Sequence, residues 1–72
     1  MIIYLVLEEY WNRTYNTLES YSVYTYQSYG DAIQRMMYES STSKSEIERQ
    51  LQENGKFDSG TFYYKIEESE LQ

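Results

Sequence analysis

The opening run Met1-Ile-Ile-Tyr-Leu-Val-Leu7 is apolar at both parities, and it constrains the fold more than any other segment. It is too short for a helix core and rich in β-branched and aromatic side chains, so it reads as a strand. Ile3, Leu5 and Leu7 line one face while Ile2, Tyr4 and Val6 line the other, the pattern of a strand that is central in its sheet. Both of its faces ask for cover, yet a chain of 72 residues builds only one domain. Cysteine and histidine are absent. No disulfide or zinc staple is therefore expected in a core that, below roughly 70–80 residues, seldom supplies more than a few kcal/mol.

Leu18 to Tyr26 alternates more loosely and reads as a second strand, with Tyr10 to Asn16 as the hairpin connection. Ser28 followed by Asp31 is a capping-box-like start. Behind it, Tyr29, Ala32, Ile33, Met36 and Met37 recur at helical spacing, which predicts a helix over 29–40. Ser43-Lys-Ser-Glu46 is a second capping box before Ile47 and Leu51, and Asn54-Gly55 suits a C-terminal cap. The serine-rich gap at 40–43 separates this second helix, 44–53, from the first, with one bent helix as the alternative. After Gly60, Phe62, Tyr64 and Ile66 alternate with Tyr63, Lys65 and Glu67 as in a half-buried strand.

These elements predict an α+β fold: a three-stranded antiparallel sheet of order 2-1-3, packed on one face by one or two helices. The strands are expected at 2–9, 18–26 and 61–68. The helices should cover the face of Leu5, Tyr24 and Tyr64. Ile2, Tyr4, Val6, Tyr21, Val23 and Tyr63 would then form an open apolar-aromatic face, which is also the expected face of a homodimer.

The arrangement resembles that of many small uncharacterised β-β-α-β proteins of bacteria and their phages. The residues that carry the resemblance are Tyr26-Gln27-Ser28-Tyr29-Gly30-Asp31-Ala32 at the helix start and Tyr64-Lys65-Ile66-Glu67 in the closing strand. The resemblance implies the fold and a mobile-element origin, and it suggests an anti-CRISPR-like role. Gly30 and the serine gap depart from the single uninterrupted helix of that pattern.

Twelve Asp and Glu oppose six Lys and Arg, a net charge of -6. That balance argues against binding nucleic acid or an anionic membrane, both of which draw on clustered cations. No run of about 20 apolar residues is available to span a bilayer. No basic segment precedes the apolar opening to make it a signal peptide, so the expected location is the cytoplasm. With no imidazole or thiol, no phosphate-binding glycine loop and no metal-ligand spacing, catalysis, cofactor and metal are not expected.

The expected function is instead noncatalytic binding of another protein. Trp, Tyr and Arg dominate interface hot spots, and Tyr10, Trp11, Arg13 and Tyr15 lie within six positions at the hairpin. Glu8, Glu9, Glu19, Glu46 and Glu48 would surround these anchors and imitate a line of phosphates. The partner envisaged is a nuclease or CRISPR effector, and the role is inhibition of a host nucleic-acid-processing defence complex. The alternative is an accessory or structural protein that dimerises through its aromatic sheet face.

Overall fold

A computed structural model describes residues 1–70 and contains β1 (Ile2–Asn12), β2 (Thr17–Tyr26), α1 (Tyr29–Ser40), α2 (Lys44–Asn54), β3 (Phe57–Asp58) and β4 (Phe62–Glu70). The three long strands pair as expected, with β1 in the middle and β2 and β4 antiparallel on either side. The sheet nevertheless has four strands, in the order β2-β1-β4-β3, rather than three. The additional strand is two residues long, below the length at which alternation can be read. Packing makes it: Phe57 is buried and stacks on Tyr64 with ring centroids 5.9 Å apart. Gly60 at φ 95° and the Ser59 hydroxyl, which takes the Phe62 N–H, close the turn into β4.

β1 runs three residues beyond its expected end, so Tyr10 and Trp11 belong to the strand and not to the hairpin tip. Their rings find partners on β4, Tyr10 against Phe62 and Trp11 against Tyr63, and cross-strand aromatic pairs of this kind extend a ladder. The connection shrinks to residues 13–16. The Asn12 side-chain oxygen accepts the N–H groups of Thr14 and Tyr15, and Asn16 takes the left-handed conformation that asparagine tolerates.

Both helices start where the serines predict. Ser28 accepts the Asp31 N–H at 3.1 Å and Ser43 accepts that of Glu46 at 3.3 Å. The chain breaks between them at Ser41, whose left-handed φ of 56° ends α1 with its N–H on the Met37 carbonyl. Gly55, at φ 76°, closes α2 in the same way. The two helices are thus separate segments and not one bent rod.

The covered face differs from expectation. In both ladders of β1, as far as the register shift against β2 between Tyr10 and Trp11, even-numbered residues oppose even-numbered ones: Val6 faces Tyr24 and Ile66, and Glu8 faces Ser22 and Tyr64. Tyr24 and Tyr64 do lie under the helices, but they bring Tyr4 and Val6 with them. Leu5, opposite Thr25 and Glu67, falls on the open side. Because β1 is apolar at both parities, its own composition cannot choose a face, and only register decides. The core comprises Val6, Ala32, Ile33, Met36, Ile47, Phe57 and Tyr64, bordered by Tyr4, Tyr24, Tyr26, Met37, Leu51, Phe62 and Ile66.

Two stability measurements test this packing. Met36 is fully buried and Met37 only partly so. Met36→Ala should therefore cost about 2–5 kcal/mol in urea denaturation and Met37→Ala clearly less. A larger loss from Met37→Ala would reverse the assigned helix face. Gly30 lies in the first turn of α1 with open space where a Cβ would stand. Gly30→Ala is expected to raise stability by about 0.4–1 kcal/mol, since it removes only unfolded-state freedom.

Candidate functional site: the open sheet face

All the helical cover lies on the even-parity side of the sheet. The other side consists of Ile3, Leu5, Leu7, Glu9 and Trp11 from β1, Tyr21, Val23 and Thr25 from β2 with Leu18, which the register shift brings opposite Trp11, and Tyr63, Lys65, Glu67 and Ser69 from β4. The side chains of β1 are half-buried by their neighbours within the layer. Toward the β2 edge exposure rises, to 63% for Tyr21 and 48% for Val23.

Tyr63 organises the hairpin end of this face. The Trp11 ring meets it edge-on at 6.5 Å and 83°. The Arg13 guanidinium lies 4.6 Å from its centroid and the Lys56 ammonium 4.2 Å, both within cation–π range. Arg13 also grips Asp58 with two hydrogen bonds, Nη2 to Oδ1 at 2.7 Å and Nη1 to Oδ2 at 3.1 Å. That fork ties the hairpin loop to β3, forty-five residues away in sequence. Asp58 is fixed independently, for its backbone N–H donates to Gln50 on α2 and its carboxylate accepts the Gly60 N–H. Hydrogen bonding to Arg13 holds the Asp58 carboxyl below its usual range, against the opposing effect of partial burial. Beside the cluster is an open depression of about 620 Å³ lined by Tyr10, Trp11, Asn12, Arg13, Glu19, Gly60 and Thr61. The Trp11 indole N–H is buried and has no hydrogen-bond partner among the described residues.

The expected anchors are only partly brought together. Trp11 and Arg13 share the open face through Tyr63, which the sequence reading placed on that face without recognising it as the hub. Tyr10 opposes Ser20 and Phe62 on the helix-covered side, because adjacent strand residues point in opposite directions. Tyr15 stands free in the loop, 76% exposed. Lys56 and Asp58 were not anticipated. Their place depends on the short β3, for which the sequence carries no periodic signal.

The carboxylates do not form one line around these anchors. Glu8 lies on the helix-covered side opposite Tyr64, whose hydroxyl is pushed well above its ordinary pKa by burial first and by the Glu8 carboxylate second. Glu9 does face the open side, but its side chain is only 16% exposed and lies 3.9 Å from Lys65. Glu19, opposite the register shift at Tyr10 and Trp11, accepts from the Thr17 hydroxyl. Glu46 is held by Arg49 through two short bonds, which also lower its pKa, and Arg49 bonds Glu53 as well. Glu48 pairs with Lys44. These α2 carboxylates are paired along their own helix, three of them with two cations, and lie across the sheet from Trp11. Of the expected dimer face, Tyr21, Val23 and Tyr63 are on the open side, whereas Ile2, Tyr4 and Val6 are on the covered side and Ile3, Leu5 and Leu7 replace them.

Charge is segregated as a result. The open face and the cluster around Tyr63 carry Glu9, Asp58 and Glu67 against Arg13, Lys56 and Lys65, and so balance, while Glu19 stands at the rim, in the depression beside Trp11 and Arg13. The other nine carboxylates and three cations carry the whole net charge of -6. Among the described residues no group of three or more Asp and Glu lies close enough to hold a metal ion, and no helix is long and apolar enough to cross a membrane.

Acid titration tests the Arg13 clamp. A carboxyl whose folded pKa is depressed contributes stability above its unfolded pKa, near 3.8, and loses it as pH falls through the lower folded value. Arg13→Gln should melt below the wild type at neutral pH, and the gap should close as pH drops below 3.8. A gap independent of pH would show that Arg13 acts by packing on Tyr63 alone.

Comparison with known family models, with characterised proteins and with solved structures finds no match to this chain.

Proposed function

We propose that this chain is a noncatalytic protein-binding module that docks through its open sheet face, with Trp11 and Tyr63 at the centre of contact. The observation that carries the reading is the combination of an uncovered apolar-aromatic layer with local charge balance. A partner can bury such a surface without stranding unpaired charge, the condition under which Trp and Tyr act as hot spots. Arg13 stacks on Tyr63 and pairs with Asp58, so that it enters the contact already ordered. The surrounding excess of carboxylate steers the module toward a basic partner. A protein that handles nucleic acid has that charge, and inhibition of a host nucleic-acid-processing defence complex is the narrower form of the reading. In that form the acidic flanks repel competing polyanions while the neutral face makes the contact.

The test is affinity capture from bacterial lysate with the whole chain, with elution in rising salt and identification by mass spectrometry. Trp11→Ala should release the partner by faster dissociation. Tyr38→Ala, at an 84% exposed position on α1, should leave capture unchanged. Capture of the same protein by wild type and Trp11→Ala with equal salt resistance would overturn the assignment of the face.

A further inference from the structure

The two margins of the sheet are treated differently. On one side β3 is only two residues long, and its Asp58 N–H is already taken by the Gln50 side chain. Beyond β3, the bare part of β4 carries Lys65, Glu67, Glu68 and Glu70, four charges in six residues. Short length and edge charges are the usual protection against strand-to-strand pairing. On the other side β2 spans ten residues and has no neighbour outside β1 among the described residues. From Ser20 to Tyr26 it reads Ser-Tyr-Ser-Val-Tyr-Thr-Tyr, without a charge, a proline or a glycine. Its only irregularity is the register shift opposite Tyr10 and Trp11, at the hairpin end.

We propose that the β2 edge pairs antiparallel with the β2 edge of a second copy of this chain, across a twofold axis near Ser22 and Val23. Charge selects this place, and the pattern of the segment selects this occupant. Two chains of net charge -6 repel over most of their surfaces, and the Ser20–Tyr26 edge is where they can meet without apposing carboxylates. The segment also suits itself. A twofold antiparallel pairing sets the Tyr21, Val23 and Thr25 side against its own copy, giving aromatic and β-branched cross-strand pairs. On the opposite side, an axis at Ser22 sets the small exposed Ser22 against its own copy and the exposed Ser20 against Tyr24 of the second copy. Association stops at two, because the remaining margins are the short and charged ones, and an isologous contact closes on itself. The product is one eight-stranded sheet in which the two open faces lie side by side. It goes beyond the binding reading above and does not require it.

Analytical ultracentrifugation of the full chain over a concentration series tests the proposal. The paired variant Ser20→Lys with Ser22→Lys is chosen because both side chains are exposed and lie on the side away from the open face, opposite Tyr10 and Glu8. The wild type should sediment as a dimer and the double-lysine variant as a single 8.7 kDa chain with an unchanged circular dichroism spectrum. In the wild type alone, alternate β2 amides should slow in hydrogen exchange as concentration rises. Leu7→Glu, in the middle of the open face, should remain dimeric. A monomeric wild type at submillimolar concentration would overturn the proposal. So would a dimer that survives both lysines and is dissolved by Leu7→Glu, which would assign the contact to the open face.

Discussion

A strand that is apolar on both faces sits at the centre of a sheet that has helices for only one of them, and the rest of the molecule follows from that imbalance. β1 takes hydrogen bonds from both neighbours, and Val6 is completely buried under the helices. The hairpin, the two helices and the return strand leave no further element for the other face among the described residues. Ile3, Leu5 and Leu7 are accordingly shielded only by their neighbours in the same layer. The tyrosines fit this position. Tyr21 and Tyr63 place a broad ring beside the aliphatic side chains and keep a hydroxyl that water can solvate, so the face is soluble without ceasing to be apolar.

The same economy governs the charges. The α2 carboxylates are held in intrahelical pairs with Arg49 and Lys44, where exposed ion pairs of this kind contribute little to stability. Those that face the sheet have structural tasks. Glu8 stands opposite the buried Tyr64 on the covered side, and Asp58 anchors the loop through Arg13. The open face is left neutral, and the net charge lies around it. A uniformly acidic surface keeps a protein soluble, whereas a neutral aromatic layer inside an acidic surround also specifies where contact is made.

What could be read in advance was local. The serine caps at 28 and 43, the periodicity of Ile33 and Met36 and the Gly55 terminus each depend on residues within one turn, and the structure contains them all. The central place of β1 was legible too, because it follows from composition alone. Its orientation was not. With both parities apolar, the covered face depends on register with Tyr24 and Tyr64, a long-range relation that no window along the chain contains. The hairpin anchor failed for the opposite reason. Tyr10, Trp11, Arg13 and Tyr15 are close in sequence, but strand alternation sends Tyr10 and Trp11 to opposite sides, while Tyr63, fifty-two positions on from Trp11, completes the cluster. Lys56 and Asp58 reach it through a two-residue strand made by the packing of Phe57.

That last dependence links the stability of the fold to the site. Phe57 fills the core beneath Tyr64, while Asp58, the next residue, points to the other side of the sheet and receives Arg13. A two-residue strand has too few hydrogen bonds to hold itself, so the position of Asp58 depends on the burial of Phe57 and on the Gln50 side chain from α2. The hairpin loop is positioned in turn by Arg13. Tyr63 then stands between two cations and an indole on a face that no helix supports. Order at the open face is thus transmitted through the sheet from the helical core. In a domain with one core and no covalent staple, a rigid contact surface on the uncovered side requires such a connection, and β3 provides it with two residues.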